Sequence, residues 1–222
     1  TDQMFLLWHS NTAMAAAMPA GLLHFTVLCI PFGIVTYLAT FVAQYHGAGR
    51  PGRIGLVLWQ GIWLSLAASP LVLATVPAAP WLFDLLGHEA KVATAEVAYY
   101  QVLAFGAGGT LISTVFAAFF IGLGRTGMVM IVDAVACIVN IVLDYALIFG
   151  CCGLPAWGIE GAAWATVIAQ WLAVAVYWLI LRRSPYHRIC RVAAGCRFDS
   201  SAMARILRFG GPNGLQFFLE NT

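Results

Sequence analysis

Long apolar stretches dominate the pattern of hydrophobic and polar residues along the chain. Five of them reach the length of a membrane-spanning helix, at about residues 13–44, 54–80, 97–123, 128–150 and 160–181. A spanning helix needs roughly 20 apolar residues, and only helices or closed barrels satisfy their backbone hydrogen bonds inside lipid. Because the alternating pattern of a barrel strand is absent, the sequence predicts an all-α integral membrane protein built as a helical bundle.

The fourth stretch interrupts its apolar pattern with three polar residues. Asp133, Asn140 and Asp144 are separated by seven and four residues, which places them on one face of a helix. An ionised carboxylate at membrane depth costs about 2.5 kcal/mol or more, so it normally faces a cavity or a partner. We therefore predict that this face lines the path of an ion, a proton or a substrate.

Composition supports a membrane protein and excludes some partners. Hydrophobic residues make up 62% of the 222 residues and charged residues 9%, against roughly 25% charged residues in soluble domains. A formal net charge of +2 gives no reason to expect a nucleic-acid partner. The six cysteines have no metal-ligand spacing, so we expect them to fill helix interfaces and loops.

The basic residues predict how the chain is oriented. Ten of the eleven follow the first, third or fifth stretch, and these are Arg50, Arg53, Arg125, Arg182, Arg183, Arg188, Arg191, Arg197, Arg205 and Arg208. The opposite side has Lys91 alone. By the positive-inside rule we expect residues 1–12, 81–96 and 151–159 to face outward and a basic linker, residues 182–205, to be cytoplasmic.

Three segments outside the plain spans carry further expectations. Pro19 and Pro31 are expected to kink or tilt the first stretch, which is too long to lie perpendicular to the membrane. Residues 81–95 mix apolar and charged side chains, which suits a short interfacial helix. A further helix is expected over 204–220, broken early by the Gly-Gly-Pro sequence at 210–212.

Several motifs are better explained without enzyme chemistry. The Gly-x-Gly-x-x-Gly patterns at 47–52 and 122–127 end membrane helices instead of joining a strand to a helix, so they predict turns. Asp133 and Asp144 would lie about 16 Å apart on one helix, too far for an aspartic-protease dyad. For His24, a hydrogen-bonded packing role is favoured over haem ligation. We therefore predict no enzyme and no cofactor.

The last full stretch has a small, polar stripe. Ala162, Thr166 and Gln170 follow one another at intervals of four residues, on one helix face. A threonine in a membrane helix often hydrogen-bonds only to its own backbone, and that interpretation stays open for Thr166.

Five segments distributed over the chain resemble one transporter family in order and spacing. They are VAQYHGAGR (42–50), AFFIGLGRTGMVM (118–130), NIVLDYALIFG (140–150), GIEGAAWAT (158–166) and FGGPNGLQFFLE (209–220). The family that they resemble is the multidrug and toxic compound extrusion (MATE) family, and Asn-x-x-x-Asp at 140–144 is more similar to its DNA-damage-inducible branch. The resemblance implies a twelve-helix secondary transporter made of two six-helix lobes.

The resemblance also implies how the chain divides and what it binds. Residues 1–181 are similar to the N-terminal lobe (the end of helix one and helices two to six), 182–205 to the inter-lobe linker, and 206–222 to the start of helix seven. Both ends then look cut from a longer protein. The implied partners are small, often cationic organic molecules and the lipid bilayer of a bacterial inner membrane. The implied mechanism is antiport with sodium or protons, and the full-length protein is expected to be monomeric.

Site residues carry over from the family by position. The cation or proton site implied by the resemblance consists of Asp2, Asn140, Asp144, Ala162 and Thr166. If sodium is the coupling ion, Asp2, Asn140, Asp144 and Thr166 would hold it. Candidates for an additional coupling role are Asp133, Gln170 and Glu220. Asp133 departs from the family pattern, which has Asn or a small residue at its position, so its role stays open.

Two other function classes stay open at this point. A lipid-linked oligosaccharide flippase of the same superfamily would need a cationic cavity for the pyrophosphate, and no arginine lies inside the spans. A membrane enzyme or a channel would need a catalytic dyad, a metal set or a ring of pore residues, which the motifs do not supply.

Overall fold

The computed structural model describes residues 2–85, 87–150 and 155–221, without the side chains of Asp2, Gln3 and His9. Within these ranges the chain is all-α and has no strand, which confirms the predicted fold class. The helices are α1 (Asp2–His9), α2 (Asn11–Thr36), α3 (Leu38–Gly47), α4 (Ile54–Leu73), α5 (Ala79–Leu85), α6 (Ala90–Gly122), α7 (Thr126–Phe149), α8 (Gly158–Arg183), α9 (Tyr186–Ile189) and α10 (Ser200–Asn221).

Five helical segments are long and apolar enough to cross a membrane, as the sequence predicts. They are Asn11–Gly47, Pro51–Leu85, Ala90–Gly122, Thr126–Phe149 and Gly158–Arg183. In the first segment α2 continues through Pro19 and Pro31, and the turn that separates α2 from α3 lies at Tyr37. The protein is therefore a multi-pass membrane protein.

Helix α6 is the centre of the bundle and packs against α2, α3, α4 and α8. About 72% of the most apolar 18-residue stretch of α6 is buried, whereas only 11% of the corresponding stretch of α7 is buried. Helix α7 therefore lies on the outside of the bundle. Glycine allows some of these close contacts. A Cβ atom on Gly122 would lie 2.6 Å from the carbonyl oxygen of Ala39 in α3, so this crossing needs a residue without a side chain.

The structure corrects the start of the third span. Residues 81–95 do not form one interfacial helix, because α5 ends at Leu85 and α6 already begins at Ala90. Lys91 and Glu96 therefore belong to α6. The apolar pattern begins after Glu96, but the backbone is helical from Ala90, and the folded protein buries the Glu96 carboxylate against His88.

The predicted break in the last helix is also wrong. Helix α10 continues through its Gly-Gly-Pro sequence at 210–212, and it packs against α2. A Cβ atom on Gly214 would lie 2.5 Å from the carbonyl oxygen of Ile30. The Asn213 side-chain amide donates a hydrogen bond to the carbonyl oxygen of Gly33 over 2.6 Å. These long-range contacts hold α10 together where its local sequence predicts a break.

The basic linker is folded against the beginning of α4. The Trp59 indole donates to the carbonyl oxygen of Val192 over 2.7 Å, and the fully buried Gln60 donates to that of Arg197 over 2.9 Å. Burial raises the pKa of the Cys190 thiol to about 11. We call the end of the bundle where residues 182–205 contact the beginning of α4 the linker end.

Candidate functional site

The main cavity of interest lies between α6, α7 and α8, with one residue from α2. Its volume is about 520 Å³. Its lining consists of Phe32, Ser113, Thr114, Ala117, Ile121, Val129, Asp133, Ala136, Cys137, Asn140, Thr166, Ala169, Gln170 and Ala173. Four candidate residues from the sequence, Asp133, Asn140, Thr166 and Gln170, therefore share one cavity.

Helices α7 and α8 meet at a polar contact in this cavity. The Asn140 side-chain amide lies 3.5 Å from the Thr166 hydroxyl, to which it donates. The Thr166 hydroxyl in turn donates to the carbonyl oxygen of Ala162 over 3.2 Å. Thr166 therefore bonds to its own backbone and also contacts Asn140, so the two alternatives for this residue are not exclusive. Asn140, Ala162 and Thr166 form one oxygen-rich group.

Asp144 lies one helical turn beyond Asn140 and is fully buried. An ionised carboxylate that has lost its water is costly unless a proton, a cation or hydrogen-bond donors compensate it. Helix α1 packs against this end of α7, with the Phe5 ring edge-on to the rings of Tyr145 and Phe149, both at 6.3 Å between centroids. The side chain of Asp2, at the start of α1, lies outside the described residues.

Asp133 lies toward the linker end and differs from Asp144 in exposure. Its side chain is exposed, and its Oδ1 accepts a hydrogen bond from the Tyr177 hydroxyl over 3.0 Å. Tyr177 itself is buried. The sequence interpretation missed Tyr177, although it lies seven residues after Gln170 and so on the same face of α8.

Gln170 and Glu220 have different surroundings. The Thr110 hydroxyl of α6 donates to Gln170, which ties the polar stripe of α8 to the central helix. Glu220 is exposed on α10, accepts a hydrogen bond from Gln216 over 2.8 Å and does not line the cavity. The described structure therefore groups Gln170, but not Glu220, with the other candidates.

Glu96 is a buried acid that the sequence interpretation missed. Its side chain is fully buried, and one carboxylate oxygen lies 2.7 Å from Nδ1 of His88. In the described part of the chain its other oxygen has no hydrogen-bond partner. Glu96 does not line the cavity of α7 and α8. A helix pattern extended one turn upstream of residue 97 would have included it.

His24 packs but does not make the expected hydrogen bond through Nδ1. Its ring lies edge-on to Tyr100 at 6.2 Å between centroids. Nδ1 is buried and has no hydrogen-bond partner among the described residues.

Spanning helices around an open cavity with apolar and polar side chains, and a buried carboxylate near it, are typical of a membrane transport protein, because acids are kept at membrane depth along transport paths. The family model described as MatE matches residues 1–146. This match covers more than half of the 222 residues, and the chain belongs to the MATE family. Members of this family are transporters and not enzymes.

Individual relatives and solved structures agree with the family. The chain is 25% identical over 222 residues to the probable multidrug resistance protein NorM of Thermotoga maritima, and 29% identical over 216 residues to the multidrug resistance protein MdtK of Klebsiella pneumoniae. The matches cover 100% and 96% of this chain and 47% of each relative. The chain thus spans about half the length of these relatives.

Solved structures show the same fold. An inward-facing MATE family transporter of the MOP superfamily matches 98% of this chain and 49% of its own, with a TM-score of 0.85 and 22% identity. The eukaryotic MATE transporter AtDTX14 matches 99% of this chain and 48% of its own, with a TM-score of 0.83 and 21% identity.

Proposed function

We propose that this chain is the N-terminal lobe of a transporter that exports lipophilic, often cationic compounds in antiport with sodium ions or protons. The observation that carries this proposal is the position of Asp144, which is fully buried one turn from the Asn140 and Thr166 contact beside an open cavity. Family membership supports the transport class, and the named relatives are multidrug resistance proteins.

The residues around Asp144 have the chemistry that a coupling ion needs. A carboxylate, the amide oxygen of Asn140, the hydroxyl of Thr166 and the carbonyl oxygen of Ala162 are ligands suited to a hard cation. The same groups also suit a protonated carboxyl group that is held by hydrogen bonds. By analogy with the family, Asp2 would supply a second carboxylate from α1.

Ion binding would drive transport by selecting one conformation. A cation that binds one state better than another shifts the equilibrium between outward-open and inward-open states. Alternating access moves one lobe against the other, so residues 1–181 would act with a second lobe that residues 206–222 begin. Residues 182–205 would join the two lobes on the cytoplasmic side of a bacterial inner membrane, with residue 1 outside, and the whole protein would work as a monomer.

The test is an ion-gradient assay on a chimera in which residues 1–222 replace the matching half of the Klebsiella relative. Efflux of a cationic dye from proteoliposomes should follow a sodium gradient at fixed pH, or a pH gradient without sodium. The unmodified Klebsiella protein controls for assay quality. If a folded chimera exports the dye at a rate that depends on neither gradient, the antiport proposal is refuted.

A lipid-linked oligosaccharide flippase is not favoured. Its anionic pyrophosphate would need cationic groups, and none of the described residues that line the cavity is Lys or Arg.

A further inference from the structure

Asp133 is a second acid on the cavity wall, and its role differs from that of Asp144. It lies seven residues before Asn140, or about 10 Å along α7 toward the linker end. Among the described residues that line the cavity, Asp133 is the one charged side chain. This part of the cavity wall, as far as the structure describes it, therefore has one acidic side chain and no basic one to balance it.

The two acids differ in what can reach them. Asp144 is 0% exposed, so only a proton or a small ion could contact its oxygens without rearranging the helices. Asp133 is exposed and lines a cavity of about 520 Å³, which has room for a molecule of many atoms. A bulky cation could therefore pair with Asp133 and could not reach Asp144.

Tyr177 fixes the Asp133 carboxylate in place. Its hydroxyl donates to Oδ1, while Oδ2 has no hydrogen bond from the described residues. The Tyr177 ring is stacked against Phe116 at 6.1 Å and Phe120 at 5.9 Å between centroids. A buried, stacked ring holds its hydroxyl in one position, so one carboxylate oxygen is oriented and the other remains for a ligand.

The rest of the cavity suits the apolar part of such a ligand. Phe32, Ile121, Val129 and four alanines make up half of the lining residues, and neutral polar side chains such as Asn140 and Thr166 make up most of the rest. Binding sites for small molecules are typically lined in this way, with a few polar groups that fix orientation. A wall with a large apolar part and one anionic group matches a lipophilic cation.

We propose that Asp133, positioned by Tyr177, is the counter-ion for the charged group of a lipophilic organic cation bound in this cavity. This deepens the proposed function, on which it rests, by separating substrate recognition at Asp133 from ion coupling at Asp144.

The test measures ligand binding and needs no transport. The chain in lipid nanodiscs is titrated with tetraphenylphosphonium, a lipophilic cation, and with triphenylphosphine oxide, an uncharged compound of related shape. Asp133→Asn keeps the shape and an acceptor for Tyr177 but removes the charge. We expect the dissociation constant of the cation to rise about three- to tenfold and that of the neutral compound to stay unchanged.

Two further variants sharpen the result. Tyr177→Phe keeps the stacked ring and removes the hydroxyl, so it should weaken cation binding less than Asp133→Asn and leave the neutral compound unaffected. Glu160→Gln removes an exposed carboxylate that does not line the cavity, and it should change neither affinity.

Three outcomes would overturn the proposal. The first is an unchanged affinity for the cation in Asp133→Asn. The second is an equal loss of affinity for both compounds, which would mean that Asp133 only shapes the cavity. The third is that the unmodified chain does not bind the cation. Asp133-dependent binding together with efflux that ignores both ion gradients would refute the antiport alone. Ion-driven efflux with cation binding independent of Asp133 would refute the counter-ion alone.

Discussion

Asp144 and Asp133 show how two residues of one type on one helix acquire different chemistry. Their spacing in the sequence places both on one face of α7, but packing buries the first completely and leaves the second exposed in the cavity. A carboxylate without water depends on a proton, a cation or hydrogen-bond donors far more than one that water reaches. The buried acid therefore suits ion coupling, and the exposed acid suits a larger ligand.

We predict that Asp144→Asn abolishes ion-driven efflux. This change keeps the shape and removes the charge, so the chimera should insert normally while its ion-driven dye efflux falls to the background of empty vesicles. Efflux from proteoliposomes is the measurement, with the amount of inserted protein determined for each variant. Glu160→Gln is the matched control and should retain full efflux. Full activity in Asp144→Asn would show that the coupling carboxylate lies elsewhere.

At the scale of elements, the crossing of α2 and α10 depends on glycine. Gly33 and Gly214 face each other, and a Cβ atom on Gly33 would lie 2.5 Å from the Cα of Gly214. Backbone atoms cannot move aside as a flexible side chain can. This close crossing, together with the hydrogen bond from Asn213 to Gly33, holds α10 as one helix.

We predict that Gly214→Ala destabilises the protein and that Gly211→Ala, three residues earlier on the same helix, does not. A Cβ atom at Gly214 would meet the backbone of Ile30, and overpacking of this kind costs about 1–3 kcal/mol. A Cβ atom at Gly211 meets nothing within 4 Å, and alanine favours helix. The midpoint of thermal unfolding in detergent should fall for the first variant only. Equal midpoints for both variants would contradict the close crossing.

In the whole molecule, most of the basic residues gather at one end of the helical bundle. The described basic residues that follow the first, third and fifth spans lie at the linker end, where the Arg125 side chain donates to the Tyr186 hydroxyl over 2.8 Å. Lys91 lies near the start of α6, at the opposite end. By the positive-inside rule we predict that the linker end of the folded bundle faces the cytoplasm.

Thiol labelling tests this orientation. A membrane-impermeant reagent should label Cys196, which is exposed, only after cells are permeabilised. Cys190 should stay unlabelled while the protein is folded, because it is buried and a pKa of about 11 keeps its thiol protonated at neutral pH. A variant that retains only Cys152, in the connection between α7 and α8, should react in intact cells. Labelling of Cys196 in intact cells would show that the predicted orientation is wrong.

We predict that the chain alone does not transport. Residues 1–222 should insert into the membrane but should not export a cationic dye, because alternating access needs two lobes that move against each other. Cells that express only these residues are compared with cells that express the chimera at the same level. Efflux from the chain alone would contradict the proposal that it is one lobe.

The sequence alone predicted the fold class, the five spans and the shared helix face of Asp133 and Asn140. These features are local, because a membrane helix satisfies its own backbone and its polar residues keep the spacing of one helix face. Tertiary structure alone decided that Asp144 is buried while Asp133 is exposed, and that Tyr177 holds Asp133. It also placed Glu96 in the interior and kept α10 continuous, since both depend on contacts between residues from separate helices and loops, which no local pattern contains.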